Sequence, residues 1–166
     1  MSVNISAIQK LTAPNPFCLV SSLAEDGKTN LMALSWWTYV SNNPATVCIA
    51  MSQRGLSHTL IERTGEFAIN IVGPDLQEKA FRCGTCSGRS GSKAEAFGIA
   101  LEPAQAISAQ VVSNCRAVME CRVQQELTVA DHVVFVAEVV AASSNPDIPG
   151  LYAVDGYGRL AEITEK

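Results

Sequence analysis

The run Phe17-Cys18-Leu19-Val20-Ser21-Ser22-Leu23-Ala24-Glu25-Asp26-Gly27-Lys28-Thr29-Asn30-Leu31-Met32-Ala33-Leu34-Ser35 decides the fold class. Phe17 to Leu23 is apolar and rich in small residues, Glu25 to Lys28 supplies a turn, and Leu31 to Ser35 resumes the strand. Asp-Gly between two such runs predicts a hairpin, because Gly27 can take the positive φ that the turn needs. A third strand is expected over Thr46 to Ser52, after the Asn42-Asn43-Pro44 break.

Further along, Ser57 to Thr64 reads as a short helix, with Ser57 as its N-cap and Gly65 as a left-handed stop. Glu66 to Val72 reads as a buried strand. A second helix is expected from Asp75, with Glu78 completing a capping-box-like pair, ending at Gly84. Cys83 to Lys93 holds three glycines and three serines and must be a loop. Cys115 to Val123 alternates cleanly, with Cys115, Ala117, Met119, Cys121 and Val123 on one face and Arg116, Glu120 and Arg122 on the other. Val133 to Ala142 is almost wholly apolar, which predicts cover on both faces, by the core and by a neighbouring subunit. Six or seven strands joined mainly by turns, with only short helices, argue for a mostly β barrel or sandwich. The reading is one domain over residues 1–166.

Composition narrows the classes. Hydrophobic residues make up 48% of the chain and charged ones only 17%, which excludes disorder and predicts apolar surface covered by a partner. The net charge is −4 and the basic residues are scattered, so no nucleic-acid footprint is expected. No apolar run is long enough to span a bilayer. Met1-Ser2-Val3-Asn4-Ile5 lacks the basic start and apolar stretch of a signal peptide, so a cytoplasmic location is expected. Of the six cysteines, Cys18, Cys48, Cys115 and Cys121 sit among apolar neighbours and read as buried, reduced thiols.

Five constellations could carry chemistry. In Asn30-Leu31-Met32-Ala33-Leu34-Ser35-Trp36-Trp37, polar groups at Asn30 and Ser35 bracket a buried strand, and a Trp able to lie beside a ring system follows. In Ser52-Gln53-Arg54-Gly55-Leu56-Ser57-His58-Thr59, an Arg and two hydroxyl residues converge where a helix begins, a place suited to a phosphate. Each also has a plain alternative: core packing for the Trp pair, an ordinary cap with a solvated Arg for the second.

The loop Cys83-Gly84-Thr85-Cys86-Ser87-Gly88-Arg89-Ser90-Gly91-Ser92-Lys93 lets backbone approach a planar ligand and offers Lys93 to an anion. Its Cys-x-x-Cys is discounted as a redox dithiol, because Cys83 closes a helix, where the negative dipole end disfavours a thiolate. Zinc would need two further ligands at matching spacing. Asp131-His132 precedes the apolar strand, and Asp155-Gly156-Tyr157-Gly158 reads as a turn. No Gly-rich fingerprint in a βαβ setting offers a nicotinamide site.

These segments, in this order, resemble the flavin reductase-like family, over about Asn15 to Val140. The matching pieces are Asn30 to Trp36 as N-x-x-x-x-S-W, Ser41 to Pro44, Arg54 to Thr59, Gly65 to Asn70, Cys83 to Arg89 with Lys93, and Asp131-His132. The resemblance implies an FMN-binding split β-barrel of Greek-key type, working as a homodimer. It implies that Asn30 and Trp36 touch the flavin or its ribityl chain, with Ser35 in the same motif. Ser57, helped by Arg54 and Thr59, would hold the phosphate together with Lys93. Ser52 would lie along the isoalloxazine edge, Ser87 and Gly88 would close over the cofactor, and His132 would sit near the flavin. Tyr157 is a looser match to a C-terminal aromatic. The family usually has Asp and an aromatic around the loop Lys, where this chain has Ser92 and Ala94. A Gly often precedes the Asp-His pair, where this chain has Ala130. The implied activity passes electrons from NAD(P)H or a protein donor through FMN to free flavin, ferric iron or a protein. A flavin-binding electron carrier or storage protein is the alternative.

Overall fold

A computed structural model describes residues 3–163, so Met1 and Ser2 of the N-terminal reading lie outside the described residues. Helix α1 (Ile5–Leu11) and the two-residue strand β1 (Asn15–Pro16) lead into two hairpins. The first joins β2 (Cys18–Leu23) to β3 (Thr29–Leu34), and the second joins β4 (Trp37–Asn42) to β5 (Ala45–Ser52). Helix α2 (Leu56–Thr64) precedes β6 (Glu66–Ile71). A 3-10 turn at Pro74–Leu76, helix α3 (Gln77–Cys83), a second turn at Gly88–Ser90 and helix α4 (Lys93–Phe97) follow. After the short pair β7 (Leu101–Glu102) and β8 (Val111–Val112) come two long strands, β9 (Ala117–Val129) and β10 (His132–Ser144). Strands β11 (Leu151–Ala153) and β12 (Leu160–Glu162) complete the order.

The main sheet is antiparallel, in the order β3-β2-β6-β9-β10-β5-β4, and it does not close. The Asp26-Gly27 turn forms as read, with Gly27 at φ 80°, and Cys18 pairs with Leu34 at the far end of the hairpin. Strand β4 was not anticipated; it pairs with β5 across the Asn43-Pro44 break. Its run Trp37-Thr38-Tyr39-Val40 carries the aromatic and β-branched enrichment that marks a strand.

Strands β2 and β6 are buried on both faces because two cores flank them. On one side Cys18, Val20, Phe67 and Ile69 pack with Ile49, Met119, Cys121, Val133 and Phe135 inside the barrel. On the other, Phe17, Leu19, Leu31 and Ala68 pack against α3, α4 and the C-terminal strands through Ala80, Cys83, Ala94, Leu151 and Leu160. Period-2 alternation sends consecutive residues to opposite faces, so Cys18 and Leu19 belong to different cores.

Several local readings are corrected. Helix α2 is capped at Gly55 with no side-chain bond, so Ser57 is not its cap; Gly65 ends it in the left-handed conformation as expected. No capping box forms near Asp75, because a 3-10 turn starting at Pro74 delays the helix to Gln77. Lys93 belongs to a helix and not to the loop, since Ser92 caps α4 by accepting from Glu95 N. Glu120 keeps the face that the alternation gives it, yet it is 3% exposed, because residues 105–106 fold over it and donate backbone N–H groups to its carboxylate at 2.6–3.1 Å. In β10 the inward Val133, Phe135 and Ala137 are buried by the core as expected, and within the single chain Val134 and Val136 on the other face are half-buried. All six cysteines are free; Cys48 is half-buried and Cys86 exposed.

Candidate functional site

A cavity of about 650 Å³ opens between the β2–β3 hairpin, the start of α2 and the α3–α4 connection. Its inner end is polar. Asn30 lies within β3, 8% exposed, and its Nδ2 donates to Ser57 Oγ at 2.9 Å and Ser22 Oγ at 3.3 Å. Ser57, in the first turn of α2, is 4% exposed and faces Asn30. The first-turn amides of α2 have no acceptor within their own helix and form the positive end of its dipole. Gly88 packs so closely on Asn30 that any side chain there would run into the Asn30 amide oxygen and a Leu56 methyl. The α3–α4 connection is thereby seated directly on the strand.

Lys93 closes this end from the other side. It is 6% exposed, and its Nζ donates to Cys83 O at 2.7 Å. Among the described residues, none of the ion pairs involves Lys93, Arg54 or Arg89. Burial pushes the Lys93 pKa down, against the influence of the nearby Cys86 and Cys83 thiols. A buried ammonium with one carbonyl partner and no carboxylate holds two donor positions that an anion would satisfy.

The walls come from three loops. Ser52 lines the cavity but its Oγ is engaged locally, accepting from Arg54 N at 3.3 Å. Arg54 is exposed at the rim, and Arg89 donates to its carbonyl at 3.3 Å, tying the start of α2 to the glycine-rich connection. Ser87 caps the 3-10 turn by accepting from Arg89 N at 3.2 Å. Across the mouth, Trp36 stacks on His132 with ring centroids 5.0 Å apart and planes 29° apart. Asp131 Oδ1 lies 2.9 Å from His132 Nδ1, which holds the Asp131 carboxyl below its ordinary range. Tyr157 arrives from the C-terminal turn, and its hydroxyl accepts from Ser35 N at 2.7 Å. Partial burial pushes the phenol pKa up, opposed by that hydrogen bond.

The cavity thus gathers Asn30, Trp36, Ser52, Arg54, Ser57, Ser87, Gly88, Lys93, His132 and Tyr157. Two sequence candidates lie outside its lining. Ser35 is buried behind the wall, and its Oγ has no partner. Thr59 is exposed, because two residues along a helix turn the side chain by roughly 200° from Ser57. Sequence reasoning missed Gln9 of α1 and Arg89, both of which line the cavity. Arg89 stood in the quoted loop, but nothing in the sequence links α1 to this site. Cys83 and Cys86 also line it, and burial pushes the Cys83 thiol up to about 11, so it is protonated at neutral pH.

Residues 11–161 match the flavin reductase like domain. An uncharacterised protein of Archaeoglobus fulgidus is 29% identical over 113 residues, 68% of this chain and 64% of its own length. The matched stretch therefore spans a little under two thirds of that relative. A flavin reductase of Pseudomonas putida is 24% identical over 90% of this chain and 85% of its own. Among solved structures, flavoredoxin of Methanosarcina acetivorans superposes with a TM-score of 0.84 at 23% identity, covering 92% of this chain and 87% of that one.

Proposed function

Given that the chain belongs to the flavin reductase-like family, we propose that the cavity binds FMN and that the protein is a flavin-dependent oxidoreductase. Electrons would come from NAD(P)H or a protein donor and pass to free flavin, ferric iron or a protein acceptor. The observation that carries the choice of FMN is the buried Lys93 ammonium, unpaired with any carboxylate among the described residues, across the cavity from Ser57 and the amides that open α2. A terminal phosphate suits that donor set: one cation, one hydroxyl and the free N–H groups of a helix start.

The fit extends along the cavity. The flat Trp36–His132 stack and the Met32 and Met51 side chains offer an apolar wall for a tricyclic ring. A bound flavin supplies the redox chemistry, accepting and returning reducing equivalents at its ring. The chain's own groups bind and orient. Lys93, Ser57 and Arg54 would hold the phosphate, and Asn30 would meet the ribityl chain while its amide stays tied to Ser57. Gly88 lets the connecting loop lie against the ligand, and the Tyr157–Ser35 bond fixes the C-terminal turn at the mouth. His132, held by Asp131 and stacked on Trp36, would stand beside the ring.

The low charged fraction and the half-buried outer face of β10 support a homodimer. The experiment is the visible spectrum of the purified protein with FMN, followed by anaerobic NADH and then NADPH. A bound flavin that bleaches with either nucleotide is the expected result. Bound flavin that neither bleaches would make the protein an electron carrier. No binding at excess FMN would refute the reading.

A further inference from the structure

Behind the cavity, on the other side of α2, His58, Glu62 and Glu126 bring their ligand atoms within 4.8 Å of one another. None of the three lines the cavity. His58 and Glu62 are four residues apart on α2 and share a face. Glu126 comes from β9; it and Glu62 are exposed while His58 is half-buried, and a bulge sets the side of the sheet on which Glu126 stands. Val123 pairs with Ala137 and Gln125 with Val136, so Gln124 is an extra residue in the ladder. That bulge shifts the alternation by one. Glu126 therefore stands opposite Phe135, on the inward side of the sheet, towards the His58 ring that tilts over Phe135 at 5.9 Å.

The ring is oriented for ligation. His58 Nδ1 lies 3.1 Å from Gln53 O, an acceptor only, so Nδ1 carries the hydrogen and donates. In the neutral ring the Nε2 lone pair then faces the carboxylates. His58 Nε2 and Glu126 Oε1 are 3.6 Å apart, too far for a hydrogen bond. Two ligands of one tetrahedral ion, each at about 2.1 Å, sit about 3.4 Å apart. Neither Glu62 nor Glu126 has a Lys or Arg partner among the described ion pairs. A histidine that binds a metal through one ring nitrogen commonly gives its other N–H to a backbone carbonyl.

We infer that His58, Glu62 and Glu126 form a binding site for a divalent first-row transition metal ion, which clamps α2 to the bulge of β9. One imidazole and two carboxylates favour Zn²⁺ or Co²⁺ over the soft thiolate-bound ions, and water would complete the coordination. The inference stands apart from the flavin reading, and its test needs no flavin. Untagged protein, stripped with chelator, is titrated with Zn²⁺ by calorimetry and with Co²⁺ by visible absorption. One equivalent should bind saturably, with Co²⁺ bands of a four- or five-coordinate site and a rise in melting temperature. Glu126→Gln and Glu62→Gln should each weaken binding by at least tenfold while leaving the metal-free melting temperature in place. No saturable binding, several loose equivalents per chain, or unchanged affinity in Glu126→Gln would overturn it.

Discussion

Two buried polar clusters, one around Asn70 of β6 and one around Lys93 of α4, differ in whether their valences are filled. Around Asn70 every group is spoken for. Its Nδ2 donates to Leu19 O at 2.9 Å and Ser21 Oγ at 3.2 Å, and its Oδ1 accepts from Val112 N at 2.8 Å. Around Lys93 the groups are equally buried, but the ammonium has one partner and the Ser57 hydroxyl and α2 amides face open cavity. The first cluster ties β2, β6 and β8 together. The second holds donors in reserve for an anion. Burial of polar groups does not by itself mark a site; unfilled hydrogen-bonding capacity facing a cavity does.

The largest expected effect comes from breaking the closed cluster. Asn70→Ala strands the Val112 amide and removes the donor to Ser21 Oγ, and should cost about 3 kcal/mol of folding stability. Denaturant unfolding would read it, and flavin affinity of the protein that remains folded should be unchanged. A variant that lost flavin binding at full stability would reverse the roles assigned to the two clusters.

Next is the open cluster. Lys93→Ala should weaken FMN binding by about 2 kcal/mol, the scale of one charged hydrogen bond. Fluorescence titration gives the affinity, and riboflavin, which lacks the phosphate, should show a much smaller change. Equal losses for both ligands would take Lys93 away from the phosphate.

A pH series sharpens the same contrast. Burial lowers the Lys93 pKa in the free protein, so its charge is lost at a pH below the ordinary lysine range. An anion beside it favours the charged form. FMN affinity should therefore be level near neutrality and fall once the pH rises past that depressed value. The decline should be absent in Lys93→Ala, and a decline that persists there would point to another titrating group. The smallest effect is expected at Thr59. Thr59→Ala should change FMN affinity by less than about 0.5 kcal/mol, the range of an exposed substitution away from special features.

The hairpin, the boundaries of β5 and β6 and the end of α2 were legible because local chemistry sets them: Asp26-Gly27 for the turn, Gly65 for the helix stop, apolar runs for the strands. Most of the cavity lining was legible too, because a helix start and a glycine-rich segment announce themselves in short stretches. What was not legible depends on tertiary cover. Glu120 obeys the alternation of β9 and points away from the barrel core, yet a loop passing over that face buries it. Thr59 looked like a partner of Ser57 in one dimension, and helical rotation separates them. Gln9 and the inward turn of Glu126 arise from packing and a bulge, which no neighbouring residue in sequence foretells.

The two long strands each carry one spare residue. In β9 it is Gln124; in β10 it is Val140, which falls between Val139, paired with Cys121, and Ala141, paired with Glu120. Deleting a residue elsewhere in either strand would turn every following side chain over, emptying the core of one half. Deleting Gln124 or Val140 would instead restore an unbroken ladder with the inward set intact. The hairpin therefore has two positions where a gap can be written into the chain without rewriting the text around it, and relatives of differing length are expected to differ there first.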